Sequence, residues 1–194
     1  MLEWLLEADT TAFLLLNGLH TTWLDSLMMF LTAELSSLPL YLLLLWLAYQ
    51  KLTKRNLGAC LLAVAMVIAL ADQTTSALMK PYFQRLRPSH EVNLASKIHL
   101  VKDSKGDFYR GGKYGFASSH AANTFAVALF FFLLFGKQAR FRGLFIWAFL
   151  ISYTRIYLGV HYPLDIICGA LVGMAWAWLF FRLFSKFSQN IAKT

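Results

Sequence analysis

Five long apolar runs constrain this chain more than any other feature of it. They cover roughly Leu27–Tyr49, Leu57–Met79, Phe116–Phe135, Gly143–Tyr157 and Pro163–Phe184. A helix rises about 1.5 Å per residue, so about 20 apolar residues match the ~30 Å hydrocarbon layer of a bilayer. The fourth run is short and is expected to extend at both ends. Composition agrees: 58% of residues are hydrophobic and 14% charged, more apolar surface than 194 residues can hide in a water-soluble domain. A soluble enzyme, a disordered chain and a disulfide scaffold are thereby excluded. The two cysteines, Cys60 and Cys168, both lie inside apolar runs. The expected fold is an all-α integral membrane bundle of about five transmembrane helices.

Residues 1–23 form a weaker segment. Leu2, Leu5, Leu6, Phe13 and Leu16 recur at helical spacing, with Glu3, Glu7, Thr10 and Asn17 on the other side. That is the pattern of an amphipathic helix lying in the membrane interface. Its acids stand where a signal peptide would carry basic residues. Residues 24–184 would then be the transmembrane core and 185–194 a cytoplasmic tail, all within a single domain. Charge orients the chain. Lys51, Lys54 and Arg55, then Lys137, Arg140 and Arg142, then Arg182, Lys186 and Lys193 make three basic groups without neighbouring acids. The positive-inside rule assigns these groups to the cytoplasm and the N-terminus to the outside, which suits an odd number of spans. The formal charge of +8 is accounted for in this way, and no nucleic-acid partner is expected. The 81–116 connection is also basic but carries Glu91, Asp103 and Asp107. This topology puts it outside, together with the turn between the last two spans.

Three polar clusters fall at helix ends on that outer face. Lys80-Pro-Tyr-Phe-Gln-Arg-Leu-Arg87-Pro88 leaves the second run, Ala117-Ser118-Ser119-His120 enters the third, and Thr154-Arg155 through His161 to Asp165 joins the fourth to the fifth. Lys80, Arg87 and Arg155 would converge as three cations, and a phosphate, with about two charges near neutral pH, is the anion that suits them. Ser118, Ser119 and His120 open a helix, whose first N–H groups and dipole also favour phosphate oxygens. Asp165 follows His161 by four residues, across Pro163. A carboxylate there can hold one imidazole nitrogen and leave the other free as a nucleophile. His120 has no such acid nearby and suits donation of a proton to a leaving oxygen. Together these residues make a phosphoryl-transfer set, with no metal site and no cofactor expected.

In that order, Lys-x6-Arg-Pro, Ser-x-His and Arg-x5-His-x3-Asp resemble the type-2 phosphatidic acid phosphatase superfamily of membrane lipid phosphatases. That family shares its site with soluble bacterial acid phosphatases and vanadium haloperoxidases. The resemblance implies a helical bundle, a phosphohistidine on His161 oriented by Asp165, and leaving-group protonation by His120. It also implies phosphate binding by Lys80, Arg87, Ser118 and Arg155, with Ser119 beside them. Two departures stand out: the family's Pro-Ser-Gly-His reads Ala117-Ser118-Ser119-His120, and its Ser-Arg reads Thr154-Arg155. Ser119 keeps the backbone N–H where the family has glycine, so the change is read as tuning of the phosphate cradle.

Other residues carry less. Glu34 and Asp72 lie inside apolar runs, where an ionisable group is either functional or a helix–helix hydrogen bonder, and both readings stay open. Asp72, Ser76 and Lys80 share one helix face, so Asp72 is positioned to support Lys80. His20, His90 and His99 receive no role. Lys97, Lys102, Lys105, Arg110 and Lys113 are read as a solvated loop, and the Phe130–Phe135 run as lipid-facing packing.

The resulting expectation is a phosphatase of the bacterial cytoplasmic membrane acting on a lipid phosphate or diphosphate at the outer face. Membrane lipids are its surroundings and a phospholipid or prenyl phosphate is its substrate. Undecaprenyl diphosphate is favoured, with phosphatidylglycerophosphate, phosphatidic acid and lipid A as rivals. Lipid-to-lipid phosphotransfer would use the same site. A membrane protein that only binds or transports phosphate-bearing lipids would need the cations but not the His161–Asp165 spacing.

Overall fold

The computed structural model describes residues 2–103, 105–136 and 138–191, without the side chains of residues 2, 34 and 189–191. Lys137, Lys193 and the Glu34 side chain therefore lie outside the described residues. The chain is all-helical, 77% helix with no strand among the described residues. Its helices are α1 (Leu2–Asn17), α2 (Thr22–Thr32), α3 (Leu38–Lys51), α4 (Lys54–Gln73), α5 (Lys80–Phe83), α6 (Ser119–Leu134), α7 (Gly143–Tyr157) and α8 (Pro163–Ile191). A wider π-helical segment, Thr74–Met79, joins α4 to α5 in one continuous rod, Lys54–Phe83. That rod and α8 are both long and apolar enough to cross a membrane, yet only 22% and 33% of their apolar windows are buried within the protein. Exposed Leu62, Ile146, Phe149, Leu171 and Trp178 continue the same outward face. Apolar surface turned outward on this scale belongs against lipid.

The helix α6 sits at the centre, packed against α4, α7 and especially α8. It is apolar on every side, as a fully enclosed helix must be. Phe130, Phe131 and Phe135 are buried against Leu44, Val67, Leu134 and Phe184. The Phe130–Phe135 run is thus core, not lipid-facing packing, because α8 and α4 cover the faces that an isolated span would turn to lipid. Close approach of α6 and α8 depends on small residues. A Cβ at Gly169 would collide with the Ser118 carbonyl, and one at Gly173 with the Ala122 carbonyl. Lipid tails are as apolar as leucine, so helices in a membrane gain by close backbone packing, which glycine and alanine permit.

Three other expectations change. The first apolar run is not one helix: α2 ends at Thr32, a short 3₁₀ turn follows at Glu34–Ser37, and the helices on either side are bent by 78°. Neither Ser36 nor Pro39 explains the bend alone, although the Ser36 hydroxyl donates to Leu31 O at 2.7 Å and so caps the broken end. The third helix begins at Ser119, three residues later than the apolar run. The interfacial helix α1 also turns unexpected groups inward. Phe13, Asp9 and Asn17 are buried, whereas Trp4 and Leu15 are exposed. The Asn17 side chain donates to His99 O (3.1 Å), Ile156 O (3.1 Å) and Tyr157 O (2.8 Å). Ile156 and Tyr157 close α7 and His99 lies in the long connection, so the Asn17 amide ties the end of α7 to that connection. Lys97, Lys102, Lys105, Arg110 and Lys113 are exposed, as read from sequence.

If the α6–α8 contact is set by backbone approach, Gly173→Ala should destabilise the protein by about 1–3 kcal/mol, the usual cost of overpacking. Gly58→Ala, with nothing within 4 Å of the added carbon, should be neutral or gain up to about 1 kcal/mol of helix propensity. Thermal midpoints in one detergent test the pair; equal midpoints for both variants would contradict the packing argument.

Candidate active site

A cavity of about 520 Å³ opens where α2, the α4–α5 rod, α6 and α7 approach the 84–118 connection. Lys80, Arg87, Ser119, His120, Arg155 and His161 all line it. Each arrives there for a local reason. The π-helical turn carries Lys80 past Ser76 to the cavity wall, and π turns commonly mark functional sites. Lys80 Nζ donates to Ser119 Oγ at 2.8 Å and to Ser76 Oγ at 3.3 Å. Ser76 in turn lies 3.4 Å from Asp72 Oδ1, so the shared face of Asp72, Ser76 and Lys80 exists as a hydrogen-bonded ladder. Arg87 is buried in the long connection, its Nε donating to Tyr114 O at 3.1 Å. Gly111, at φ +64°, lies directly against this guanidinium, where any side chain would collide. Arg155, 2% exposed, reaches from the last turn of α7 to the Thr32 hydroxyl and to Tyr109 Oη at 3.0 Å, and its Nε has no partner among the described residues.

His161 and Asp165 sit on the turn into α8. His161 Nδ1 is 3.2 Å from Asp165 Oδ2, and the same oxygen accepts the Tyr162 N–H at 3.0 Å. The carboxylate stands behind the imidazole, outside the cavity lining, and leaves Nε2 as the free ring nitrogen. Burial first, then Arg87, Arg155 and Lys80, hold the His161 imidazole well below its ordinary value. Burial and Arg155 also lower Arg87. Buried cations that bond only to neutral groups call for an anion, since desolvated charge without a counter-charge is strongly unfavourable.

The serines divide. Ser119 lines the cavity, and its hydroxyl meets Lys80, Thr75 (2.9 Å) and Ser76 (2.8 Å). Ser118 does not. It is the N-cap of α6, fully buried, with Oγ accepting from Ala121 N at 3.4 Å and its N–H donating to Asp165 O at 2.9 Å. Its N–H is thus engaged within the protein and its Oγ accepts one backbone N–H, and the N–H groups of Ser119 and His120 stand at the helix start.

Several site residues escaped the sequence reading: Thr32, Tyr109, Asn123, Arg85 and Asp9. Arg85 bridges Asp165 Oδ1 (3.0 Å) and Asp9 Oδ2 (2.7 Å). Asp9 carried a legible signal, because it falls between Leu5 and Phe13 at i±4, an acid within the apolar stripe of α1. Thr32, Tyr109 and Asn123 carried none; they are ordinary residues brought to the cavity by the bend of α2, the fold of the connection and the rotation of α6. Among the described residues no cluster of three or more His, Cys, Asp or Glu side chains is arranged for a metal ion.

Comparison with known proteins follows the same geometry. The family model of the PAP2 superfamily matches residues 56–189. A lipid A 4'-phosphatase of Bacteroides thetaiotaomicron is 35% identical over 192 residues, covering 98% of this chain and 83% of that one. An undecaprenyl-diphosphatase of Sulfolobus acidocaldarius is 33% identical, covering 87% and 73%. The crystal structure of Aquifex aeolicus LpxE superposes with a TM-score of 0.59 at 27% identity, covering 88% of this chain and 92% of that one.

The imidazole of His161 is held low, so it takes a proton only at lower pH than an ordinary histidine and remains a neutral nucleophile as pH falls. The acidic limb of kcat/KM that depends on His161 should therefore lie below the ordinary imidazole value of 6.5. A pH profile on a substrate whose own ionisation is separately titrated tests this; a His161-dependent limb at or above that value would contradict it.

Proposed function

Because the chain belongs to the PAP2 superfamily and is a membrane lipid phosphatase, we propose that it cleaves the phosphate ester of a glycolipid of the lipid A type through a phosphohistidine on His161. The observation that carries the substrate choice is the 35% identity, over nearly the whole chain, to a lipid A 4'-phosphatase. The cavity supports it. Below the cations lie the Asp72 carboxylate and Asn123 Oδ1, the latter buried without a hydrogen-bond partner among the described residues. Asn123 is one turn from His120 on α6. Acceptors in the cavity wall call for donors, which sugar hydroxyls and amides supply and a second phosphate does not. Undecaprenyl diphosphate is the second reading, favoured by the 33% identity to an undecaprenyl-diphosphatase and by a clamp of three cations.

The proposed sequence of steps uses only the cavity's own groups. His161 Nε2 attacks phosphorus while Asp165 holds Nδ1–H and offsets the charge that develops on the ring. Lys80, Arg87, Arg155 and the first N–H groups of α6 stabilise the equatorial oxygens. His120 protonates the departing alkoxide, then takes a proton from the water that releases phosphate from His161. Ser118 acts by capping α6 and tethering it to Asp165, and Asp72 acts through Ser76 and on the leaving group. In the membrane, we take the chain to have five spans, counting bent α2–α3 as one, with α1 in the interface. The active site then faces outward from the bacterial cytoplasmic membrane and the C-terminus faces inward, as the basic 50–56 and 136–142 connections support.

His161→Ala should abolish phosphate release while the protein stays folded, and Asp165→Asn should retain an intermediate rate. In a release panel, a lipid A-type monoester should exceed undecaprenyl diphosphate in kcat/KM, and Asp72→Asn should narrow that preference. Full activity of His161→Ala would end the covalent mechanism, and release from the diphosphate alone would end the glycolipid reading.

Topology has its own test. A cysteine at Asp107 should react with an impermeant thiol reagent in intact cells and one at Gln138 should not; the reverse pattern would move the site to the cytoplasmic face.

A further inference from the structure

Arg85 stands in sequence between Lys80 and Arg87, the two cations of the first motif, yet it does not line the cavity. We infer that Arg85, itself clamped by Asp9 of the N-terminal helix, is a positioning residue that fixes the Asp165 carboxylate behind His161. The inference rests on the reading of His161 as the nucleophile.

The geometry divides the Asp165 carboxylate in two. One oxygen, Oδ2, accepts from His161 Nδ1 and from the Tyr162 N–H. The other, Oδ1, accepts from Arg85 Nη1 at 3.0 Å. Its side chain is 0% exposed, so no solvent can replace that partner. A buried carboxylate without a counter-charge would be strongly destabilised, and one with a loosely held partner would let the imidazole rotate.

Arginine has a long side chain with several torsions, so it fixes a carboxylate only if it is fixed itself. Three contacts do this. Arg85 Nη2 donates to Asp9 Oδ2 at 2.7 Å, the guanidinium lies 3.9 Å from the centre of the Tyr162 ring, and the Arg85 carbonyl accepts the Gly115 N–H at 2.9 Å. Asp9 is buried too, and its other oxygen accepts the Leu164 N–H at 2.9 Å in the first turn of α8. The same helix thus carries Asp165 and receives Asp9, which closes the arrangement into a loop. One guanidinium faces two carboxylates, leaving one net negative charge. That charge acts towards His161, where positive charge develops during attack. A bridge that merely docked α1 would need neither the contact with Asp165 nor the Tyr162 stack.

The test uses the full-length enzyme in one detergent, with His161→Ala assayed alongside. Arg85→Gln should lower kcat about 10–100-fold, the usual effect of losing an outer-shell partner, with KM changed by less than about threefold. It should also shift the acidic limb of kcat/KM. Without the guanidinium, the charge and the orientation of the buried Asp165 carboxylate behind His161 are no longer held. Arg85→Lys should recover part of both effects. Asp9→Asn, which keeps an acceptor for Leu164, should show a smaller loss of kcat, and Asp9→Asn/Arg85→Gln should be no worse in kcat than Arg85→Gln alone, since Asp9 acts through Arg85. Should Arg85→Gln fail to fold, Arg85→Lys and Asp9→Asn are read by the same kcat and pH measurements. Unchanged kcat and pH limb in the folded variants, or losses from Asp9 and Arg85 that multiply, would overturn the inference. Activity surviving in His161→Ala would instead overturn the covalent mechanism on which it stands.

Discussion

The contact between α6 and α8 holds the start of α6 beside the turn that carries His161 and Asp165. Both helices begin at the cavity, and the Ser118 N–H donates to Asp165 O at 2.9 Å across their first turns. Gly169 and Gly173 let the backbones come together. Two helices starting side by side concentrate two positive dipole ends in one place, which is unfavourable unless an anion lies near. Asp165 supplies part of that anion at the start of α8. A phosphate held over Ser119 and His120 would supply the rest. The packing that makes the bundle and the chemistry of the site are in this sense one constraint.

A second ordering concerns charge. In front, towards the cavity, stand Lys80, Arg87 and Arg155, bonded to hydroxyls and carbonyls rather than carboxylates. Behind stand Asp165 and Asp9, joined by Arg85. The only acid of the cavity lining among the described residues, Asp72, reaches Lys80 through Ser76 rather than by a direct ion pair, so none of the three forward cations is neutralised by a bonded carboxylate. The low-lying His161 follows directly, since burial and three cations all disfavour a further positive charge there.

The wall facing this pair comes from less regular parts of the chain. The bend between α2 and α3 exposes Thr32 to Arg155, and the 84–118 connection folds back so that Tyr109 and Gly111 close over Arg155 and Arg87. The same bend brings Thr32, Ala33, Ser37 and Tyr41 to the cavity lining.

The sequence alone determined the membrane class, the helical fold and the residues that gather at the cavity and the turn behind it, because these depend on local quantities. Apolar run length reports the solvent a helix requires, and the order Lys80, Arg87, Ser119, His120, Arg155, His161, Asp165 carries its chemistry in residue type and spacing. Only the tertiary structure decided which polar groups remain free. Of the two serines, Ser119 lines the cavity, whereas Ser118 caps α6 and donates its N–H to Asp165. The phenylalanines of α6 looked lipid-facing because hydropathy cannot distinguish lipid from a neighbouring helix; both are apolar. Asp9 and Arg85 lie 76 residues apart, and no local pattern couples them. Their meeting follows from α1 docking against the start of α8, a consequence of three-dimensional packing that a one-dimensional periodicity does not contain.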